Sequence, residues 1–329
     1  TAALTAAVLA ETDVSDEFAE LLYRHTDGNP FFTQEVVRAL VERGDVFLQD
    51  GGWDRRAVEE IGIPRSIRSA VGERVSRLGE VAREVLSEGS VLGEAFAFGD
   101  LQAIHDRAEE QVEAALDAAA GAGLVRVTGK DDYAFSHALV RQVLYDELSP
   151  RTRRRLHQAA GEALERLPEP VRQIRAAELA WHFMQADEPE RALSYSMLAG
   201  DAAEAVFAHA EAEQHYRTAL ELARELGNLP GEARVHEKLG TALRLSGQYD
   251  QALDPLERAA GTYRTACDLE GEARATDQIA FVHFYRGTTP QGIERVRPVV
   301  ERFEHLPQST TPLLAMADLY SSLARNLFP

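Results

Sequence analysis

Paired carboxylates are the residues of this 329-residue sequence whose spacing comes closest to acid–base chemistry. Glu59-Glu60 and Glu109-Glu110 are such pairs, but adjacent acids are most simply explained as solvated helix faces. The ten histidines are scattered, and no two stand four residues apart. The sequence contains no phosphate-binding loop of the form G-x-x-x-x-G-K-[ST] and no H-E-x-x-H motif. We therefore predict that the chain has no catalytic residues, no metal site and no enzymatic activity of its own.

Two short stretches carry a distinctive pattern. The first, residues 26–32, is Thr-Asp-Gly-Asn-Pro-Phe-Phe, and the second, residues 135–145, is Phe-Ser-His-Ala-Leu-Val-Arg-Gln-Val-Leu-Tyr. Taken alone, Asn29 and Pro30 are typical of an N-cap and the first residue of a helix. His137 would likewise stand at a helix start, capped locally with the preceding serine.

The composition indicates a folded protein with an acidic surface. Hydrophobic residues make up 45% of the chain, charged residues 27%, and the net charge is −19. This charge disfavours nonspecific attraction to nucleic acid and to anionic membranes. A short basic run (Arg151 and residues 153–155) beside Pro150 is best explained as a solvated helix start. No apolar stretch approaches the roughly 18 residues of a membrane span and no leader opens the sequence, so we expect a cytoplasmic protein.

The single cysteine and the two ends give further expectations. Because Cys267 is the single cysteine, the chain cannot form an intramolecular disulfide. Its neighbours are small and apolar and follow a helical pattern, which favours a thiol packed in the core. Thr1 is not an initiator methionine, and the last residues, 315–328, stop inside an amphipathic helical pattern. We therefore expect a piece of a longer polypeptide.

The second half of the chain has an internal repeat with a period of 40 residues. Small residues recur where two helices must approach closely, and large ones where the neighbouring helix leaves a hole. The first two columns, a large residue followed by a small one, fall at 199–200, 239–240 and 279–280. Their order is that of tetratricopeptide repeats, whose usual period is about 34. The repeat predicts first helices near 152–167, 190–206, 231–246, 270–286 and 312–328, and second helices near 171–186, 209–226, 249–266 and 289–305.

The first half of the chain has a different pattern. It predicts helices near 16–25 (capped by Ser15), 31–43, 66–78, 80–92, 109–121 and 137–148, with a turn-rich link around 50–52. Residues 124–127 and 133–135 alternate around a turn, as in a β-hairpin. Helices followed by a small hairpin are the layout of a winged helix.

Together with the repeats, the two distinctive stretches resemble the bacterial STAND ATPases, and most closely the large ATP-dependent regulators of the maltose-regulator and LuxR-like type. The resemblance implies a mainly α chain in three parts: a helical lid remnant of a nucleotide-binding domain (1–60), a winged-helix domain (61–150) and a tetratricopeptide-like α-solenoid (151–329). In that family a nucleotide-binding core precedes the lid. The chain itself would therefore hold no cofactor, and ATP or ADP would bind in the parent protein.

By the same resemblance, three residues would contact nucleotide in the parent protein. Pro30, with the adjacent Asn29, matches the lid proline that packs on the adenine, and its ring is a rigid apolar surface without a competing donor. His137 matches the winged-helix histidine that reaches the terminal phosphate, to which an imidazole can donate. Arg141, one turn further on, is expected to form a surface or interdomain ion pair.

The aromatic residues of the second half mostly fall on repeat columns, so we expect them in the core: Trp181, Phe183, Tyr195, Phe207, Tyr216, Tyr249, Tyr263, Phe281, Phe284 and Tyr285. The group Phe281, His283, Phe284 and Tyr285 is denser than packing needs. We expect part of it to line the concave face of the solenoid, where a ligand or partner would bind.

The sequence thus predicts the regulatory and sensor arm of a STAND-type switch. A protein partner or a small-molecule inducer would bind the concave face, the parent protein would self-associate, and no membrane would be involved. The alternative is a free-standing tetratricopeptide scaffold without a nucleotide switch. Direct DNA binding by a recognition helix at 109–120 is disfavoured, because this segment carries four acids and no Lys or Arg.

Overall fold

The chain is mainly α-helical, as the sequence predicts. The computed structural model describes residues 2–9, 16–26, 28–43, 45–49, 52–55, 63–305 and 313–327. The helices are α1 (Ala2–Leu9), α2 (Asp16–Thr26), α3 (Pro30–Arg43), α4 (Arg65–Ser76), α5 (Glu80–Leu92), α6 (Phe98–Ala103), α7 (Glu109–Gly121), α8 (Ala138–Glu147), α9 (Pro150–Glu165), α10 (Glu169–Ile174), α11 (Ala176–Gln185), α12 (Pro189–Ala205), α13 (His209–Glu225), α14 (Leu229–Leu245), α15 (Tyr249–Thr265), α16 (Leu269–Tyr285), α17 (Thr289–Glu304) and α18 (Leu313–Leu327). The strands are β1 (Val46–Gln49), β2 (Gly52–Arg55), β3 (Ala95–Ala97), β4 (Val125–Val127) and β5 (Asp132–Phe135).

The chain divides into two compact units, Thr1–Ala163 (unit 1) and Leu164–Pro329 (unit 2), and α9 runs across the division. In unit 1, residues predicted for the lid and for the winged helix share one apolar core. Leu22 of α2 and Leu40 of α3 belong to the same buried cluster as Leu86 of α5. The boundaries at 60 and 150 stay predictions.

Unit 1 contains two small antiparallel sheets. In the first, β1 pairs with β2, with Val46 opposite Arg55. In the second, β5 lies between β3 and β4, so that Ala134 faces both Ala95 and Arg126. Buried Phe96 of β3 stacks on Tyr133 of β5 at a centroid distance of 6.1 Å, which fixes that edge of the sheet.

Several elements of unit 1 differ from the prediction. The hairpin β4–β5 is present, but β3 and α6 were not predicted, because Phe96 and Phe98 belong to a run too short to show a period. The predicted link around 50–52 lies between paired strands, although residues 50 and 51 themselves lie outside the described residues, as does the predicted cap Ser15.

Unit 2 follows the 40-residue period closely. Helices α12, α14 and α16 begin at residues 189, 229 and 269, and α13, α15 and α17 begin at 209, 249 and 289. The predicted helix at 171–186 is instead two helices, α10 and α11, which meet at Arg175. Three of the predicted large and small columns are buried in all three registers: Ala199, Leu239 and Ile279, then Ala212, Ala252 and Gly292, then Tyr216, Leu256 and Val296.

The close approach of paired helices depends on a residue without a side chain. A Cβ added at Gly240 in α14 would lie 2.5 Å from Cγ of Leu256 and 3.2 Å from the backbone oxygen of Ala252, both on α15. Both distances are below van der Waals contact, and the backbone atom cannot rotate away. The glycine therefore sets how near α15 can lie to α14.

A left-handed residue ends the helices of unit 2 at 20-residue intervals: Asp187, Phe207, Gly227, Gly247, Cys267 and Gly287. At Gly247, the next amide, Gln248 N–H, donates to the carbonyl oxygen of Leu243 at 2.8 Å, which is the Schellman arrangement. Asp187, Phe207 and Cys267 adopt the same positive φ with a side chain, which costs about 1 kcal/mol each.

This turn explains two wrong predictions from the sequence. Phe207 is 81% exposed rather than in the core, and Cys267 is exposed rather than packed. Both occupy the left-handed position after a helix, where the side chain points away from the helix pair. Among the residues predicted for the core, Phe183, Tyr216 and Tyr263 are buried, whereas Tyr285 is 54% exposed.

Within the described ranges, no helix is long and apolar enough to cross a membrane.

Replacement of Gly240 by Ala should lower the free energy of unfolding by about 1–3 kcal/mol, because the clash with α15 exceeds the gain of about 1 kcal/mol in helix propensity. Gly261, in the exposed middle of α15, meets nothing within 4 Å and is the matched control. Gly261→Ala should raise stability by about 0.5–1 kcal/mol. Chemical denaturation followed by circular dichroism measures both, and equal shifts in the two variants would contradict the close-approach explanation.

Phe207→Gly should raise the free energy of unfolding by about 0.5–1 kcal/mol, since glycine adopts positive φ without strain and the exposed ring contributes little burial. Phe207→Ala removes the ring but keeps the strain, so it should change stability little. Thermal unfolding distinguishes the two variants. A rise for Phe207→Ala as large as that for Phe207→Gly would show that backbone strain is not the cause.

Candidate functional site

The two distinctive stretches of the sequence meet in unit 1. The side-chain nitrogen Nδ2 of Asn29 lies 3.2 Å from Nε2 of His137, across 108 positions of sequence. The ring of His137 also meets Phe32 edge-on at a centroid distance of 5.4 Å, and Phe32 is buried. We call Asn29, Pro30, Phe32 and His137 the loop junction. The sequence could show the two motifs but not that they touch.

The local role of Asn29 fixes the direction of this hydrogen bond. Its Oδ1 accepts from the backbone amides of Phe31 at 3.0 Å and Phe32 at 3.2 Å, as an N-cap does. The amide nitrogen is therefore the atom that faces His137, and it donates. His137 accepts through Nε2, so the neutral imidazole carries its proton on Nδ1.

The simpler prediction, that Asn29, Pro30 and His137 only begin or cap helices, is confirmed for the first two residues but does not explain the third. Asn29 and Pro30 are the N-cap and the first residue of α3, and Pro30 is exposed. His137 stands at the N-cap of α8, but its side chain makes no capping hydrogen bond. It contacts Asn29 instead, so local capping does not account for the imidazole.

Arg141 forms no ion pair with a described residue, although the sequence predicted one. Its Nε donates to the backbone oxygen of Ser90 at 2.9 Å, and its guanidinium lies 5.5 Å from the ring centre of Tyr145. Burial lowers the pKa of Arg141, an effect that the negative charge of Glu94 opposes. Arg141 therefore holds α8 against α5 and is not directed at the loop junction.

A second group of candidate residues lies on one side of unit 2. On this side, polar side chains of each first helix (α12, α14, α16, α18) contact the next first helix, and we call it the A-face. The contacts are Asp201–Lys238, Glu237–Arg274, Arg244–Gln278 and Asp277–Ser322. Because these contacts recur along the array, the A-face is one continuous surface of the repeats.

Three aromatic rings, two from the end of α16 and one from the start of α15, stack on one another. The rings of Tyr249 and Tyr285 are 5.7 Å apart and 5° from parallel, and those of Tyr285 and Phe281 are 6.4 Å apart and 17° from parallel. Phe284 meets Tyr285 edge-on at 5.5 Å. We call Tyr249, Tyr285 and Phe281 the aromatic ladder. Its middle ring, Tyr285, is more than half exposed.

His283 does not join the ladder. Its Nδ1 lies 2.9 Å from Oγ1 of Thr288, and a Cβ at Gly292 of α17 would lie 3.2 Å from the Cβ of His283. Burial, followed by the charge of Arg286, lowers the pKa of His283. Of the four residues predicted as one group, Phe281, Phe284 and Tyr285 are in ring contact, and His283 packs towards the second helix of its own pair.

Two arginines that the sequence did not single out flank the ladder. The guanidinium carbon of Arg325 lies 3.6 Å from the ring centre of Phe281, and that of Arg244 lies 5.1 Å from it. Arg244 Nε donates to Oε1 of Gln278 at 2.8 Å, and Arg325 Nη1 donates to Oγ of Ser322 at 3.1 Å. Neither guanidinium forms an ion pair with any residue that the structure describes.

A search of the described residues for three or more His, Cys, Asp or Glu side chains that could hold a metal ion finds none.

Comparison with known proteins places the repeats in a family. The tetratricopeptide repeat family matches residues 185–265, which cover α12 to α15, so the second half contains tetratricopeptide repeats as predicted. No curated protein matches the chain. Among solved structures, BtubC (BKLC) from P. vanneervenii is 11% identical over 78% of this chain and 83% of that chain, with a TM-score of 0.40.

A second solved structure is a signal transduction ATPase with numerous domains (STAND) protein with a tetratricopeptide repeat sensor, from Pyrococcus horikoshii. It is 14% identical over 99% of this chain and 56% of that chain, with a TM-score of 0.37. This chain therefore spans little more than half the length of that protein.

Asn29→Ala should destabilise unit 1 by about 1–2 kcal/mol, because it removes the N-cap of α3 together with the bond to His137. Asn29→Asp retains an oxygen that can cap the same two amides and should cost less than half as much. Amide hydrogen exchange at Phe31 and Phe32 reports the cap directly. Equal acceleration of exchange in both variants would show that capping is not what Asn29 contributes.

Proposed function

We propose that this chain is the regulatory and sensor arm of a STAND-type ATP-dependent signalling or transcriptional regulator. In this proposal unit 2 binds a protein partner or inducer through its tetratricopeptide repeats. Unit 1 contains the lid remnant and the winged helix, which contact ATP or ADP held mainly by a preceding nucleotide-binding core. The observation that carries the proposal is the 3.2 Å contact between Asn29 and His137.

The contact supports the proposal because it unites two motifs that a plain scaffold does not need. In the resemblance, Pro30 packs on the adenine and His137 reaches the terminal phosphate, so both must lie beside one nucleotide. The Asn29–His137 contact and the Phe32–His137 ring contact bring the two segments to one place in unit 1. Exposed Pro30, at the start of α3, leaves its ring accessible to a base.

The tautomer of His137 determines which of its ring nitrogens can donate to a phosphate. Nε2 accepts from Asn29 through its lone pair, whereas an imidazole contacts phosphate by donating a proton. His137 cannot do both through Nε2. In the tautomer assigned above, the donor to a phosphate is Nδ1–H, which leaves the bond from Asn29 to Nε2 in place. In the proposed switch, a partner on the repeats acts by preferring the nucleotide-bound or the nucleotide-free state.

The helical fold around the junction agrees with a winged helix. Within residues 61–150, the helices α4, α5, α6 and α7 precede the hairpin β4–β5, and β3 completes the sheet. The exposed positions of α7 include Glu109, Glu110, Glu113 and Asp117. An acidic exposed face repels the phosphates of DNA, so this winged helix fits a role in nucleotide control better than DNA binding.

A free-standing tetratricopeptide scaffold is the second candidate. It accounts for the repeats at 185–265 and for the A-face, and it needs no nucleotide. The gene sequence that flanks the segment encoding residues 1–329 distinguishes the two candidate functions. The switch requires a phosphate-binding loop G-x-x-x-x-G-K-[ST] upstream, whereas the scaffold does not.

The functional test is ADP retention by the full-length gene product. His137→Ala should speed dissociation of a fluorescent ADP analogue by about tenfold or more, because a hydrogen bond to a charged phosphate is lost. His215→Ala is the control, since His215 is also a partly buried helix histidine but lies in unit 2. Unchanged dissociation in the His137 variant, or equal acceleration in the control, would refute the nucleotide role of His137.

A further inference from the structure

The link between α8 and α9 is only two residues long. α8 ends at Glu147 and α9 begins at Pro150. Leu148, the C-cap of α8, has an extended backbone with a ψ of 133°, so the chain leaves the first helix before it enters the second. α9 then continues past Ala163 into unit 2. The direction of α9 relative to α8 therefore depends on the side-chain contacts around this link.

Tyr145, in the last turn of α8, holds α9 by three contacts. Its hydroxyl oxygen lies 3.0 Å from Nε2 of His157, and the two rings meet edge-on at a centroid distance of 5.9 Å. Arg153, in the first turn of α9, donates from Nε to the backbone oxygen of Tyr145 at 2.9 Å, and its guanidinium carbon lies 4.5 Å from the centre of the tyrosine ring. We call Tyr145, Arg153 and His157 the elbow. Because His157 is fully buried, loss of its bond to the hydroxyl is costly.

The opposite end of α8 carries His137. His137 is the N-cap of this ten-residue helix and stands eight residues before Tyr145, about 12 Å along the helix axis. Between them, Arg141 ties the helix to the backbone oxygen of Ser90. A short helix moves as a rigid element, so a shift at the elbow also shifts the imidazole. The contact from Asn29 to Nε2 of His137 is 3.2 Å long, at the upper end of the hydrogen-bond range, and a small shift is enough to break it.

We propose that Tyr145 is a positioning residue for His137. By holding α8 to α9 through the elbow, it keeps the imidazole on Asn29, and this bond keeps the proton on Nδ1, the nitrogen that faces a phosphate as donor. α9 is the helix that continues into the repeats, so a movement of α9 caused by a partner on unit 2 reaches His137 through the elbow. This inference rests on the proposed nucleotide role of His137 and states how that site is regulated.

The ion pairs at the same link do not explain its geometry. Asp146, next to Tyr145, lies 3.7 Å from Nη2 of Arg153 and 3.7 Å from Nη2 of Arg68. Asp146 is on the surface, and ion pairs of this length between solvated groups contribute little. The bond of Tyr145 to buried His157 is the more specific constraint, so Asp146 provides a matched control in the same link.

The test follows the ring nitrogens of His137 by NMR in the 329-residue chain with ¹⁵N-labelled histidine. His137→Gln identifies the signals by their loss, and Asn29→Ala gives the position of the Nε2 signal when the bond is broken. Tyr145→Phe keeps the ring and removes only the hydroxyl. It should move the Nε2 signal most of the way towards its position in Asn29→Ala, because α8 no longer holds the imidazole in register.

Two controls separate this effect from a general loosening of α9. Asp146→Asn removes the ion pairs beside the elbow and should leave the His137 signals in place. Tyr195→Phe is the same chemical change at the other end of α9, where the Tyr195 hydroxyl donates to Oε1 of Glu165 at 2.8 Å, and it should also leave them in place. An unmoved Nε2 signal in Tyr145→Phe, or an equal shift in either control, would overturn the inference.

A second elbow variant covers loss of folding in Tyr145→Phe. Arg153→Gln removes the bond to the backbone oxygen of Tyr145 and the contact with its ring, at a side chain that is partly exposed. It should move the Nε2 signal in the same direction while thermal unfolding remains cooperative. Absence of a shift in this folded variant would likewise contradict a positioning role of the elbow.

The functional consequence is measured in the full-length gene product. Tyr145→Phe should speed dissociation of the fluorescent ADP analogue about fivefold, as expected for the loss of one hydrogen bond. ADP dissociation that depends on His137 but not on Tyr145 would refute the elbow and leave the proposed function standing. Unchanged dissociation in both the His137→Ala and the Tyr145→Phe variants would refute the nucleotide role of His137, even where the NMR signal follows Tyr145.

Discussion

The contact that the rest of unit 2 depends on is the near touch of two backbones where a first helix carries glycine or alanine. At Gly240 there is no room for even one added carbon against Leu256 and the backbone of Ala252. Gly200, which faces Tyr216, is the same position one repeat earlier. Once the paired helices are this close, large residues such as Leu256 fill the space on either side, and the next pair can only stack in the same way.

From this stacking follows the A-face. Because each first helix has the same orientation relative to its pair, residues 40 positions apart meet equivalent neighbours, as Glu204–Lys238 and Arg244–Gln278 do. The positions of these contacts are therefore periodic, but the types of residue that occupy them change along the array. At the α16 position the pattern changes from ion pairs to rings, and two arginines lie against the ring of Phe281.

The repeats could be predicted from sequence because their signal is local and recurs three times. A column of small residues opposite a column of large ones requires helix pairs, and the predicted helix starts of α12 to α17 agree with the structure to within two residues. Phe207 and Cys267 could not be placed by the same columns, since the column falls on a left-handed turn where glycine is usual and side chains turn outwards. The sequence shows where the turn lies but not the direction in which the side chain at that position points.

The candidate sites were predictable only as residue types. Asn29, Pro30 and His137 stand out by motif, yet the bond between Asn29 and His137 is a matter of tertiary folding over 108 positions. Arg244 and Arg325 carry no motif at all. They meet the ring of Phe281 from two different helices, and a sequence does not show which ring a given arginine will contact.

The alternation of turns has a consequence for how such a gene can change length. Left-handed residues recur every 20 positions, but first and second helices alternate, so the structural unit is 40. Loss or duplication of 40 residues joins equivalent helices and preserves every close contact. A change of 20 keeps each turn in place yet puts a residue of a second helix, Leu220, where Gly200 or Gly240 must stand. Recombination that adds or removes whole 40-residue units is therefore tolerated, whereas recombination by an odd multiple of 20 residues is selected against.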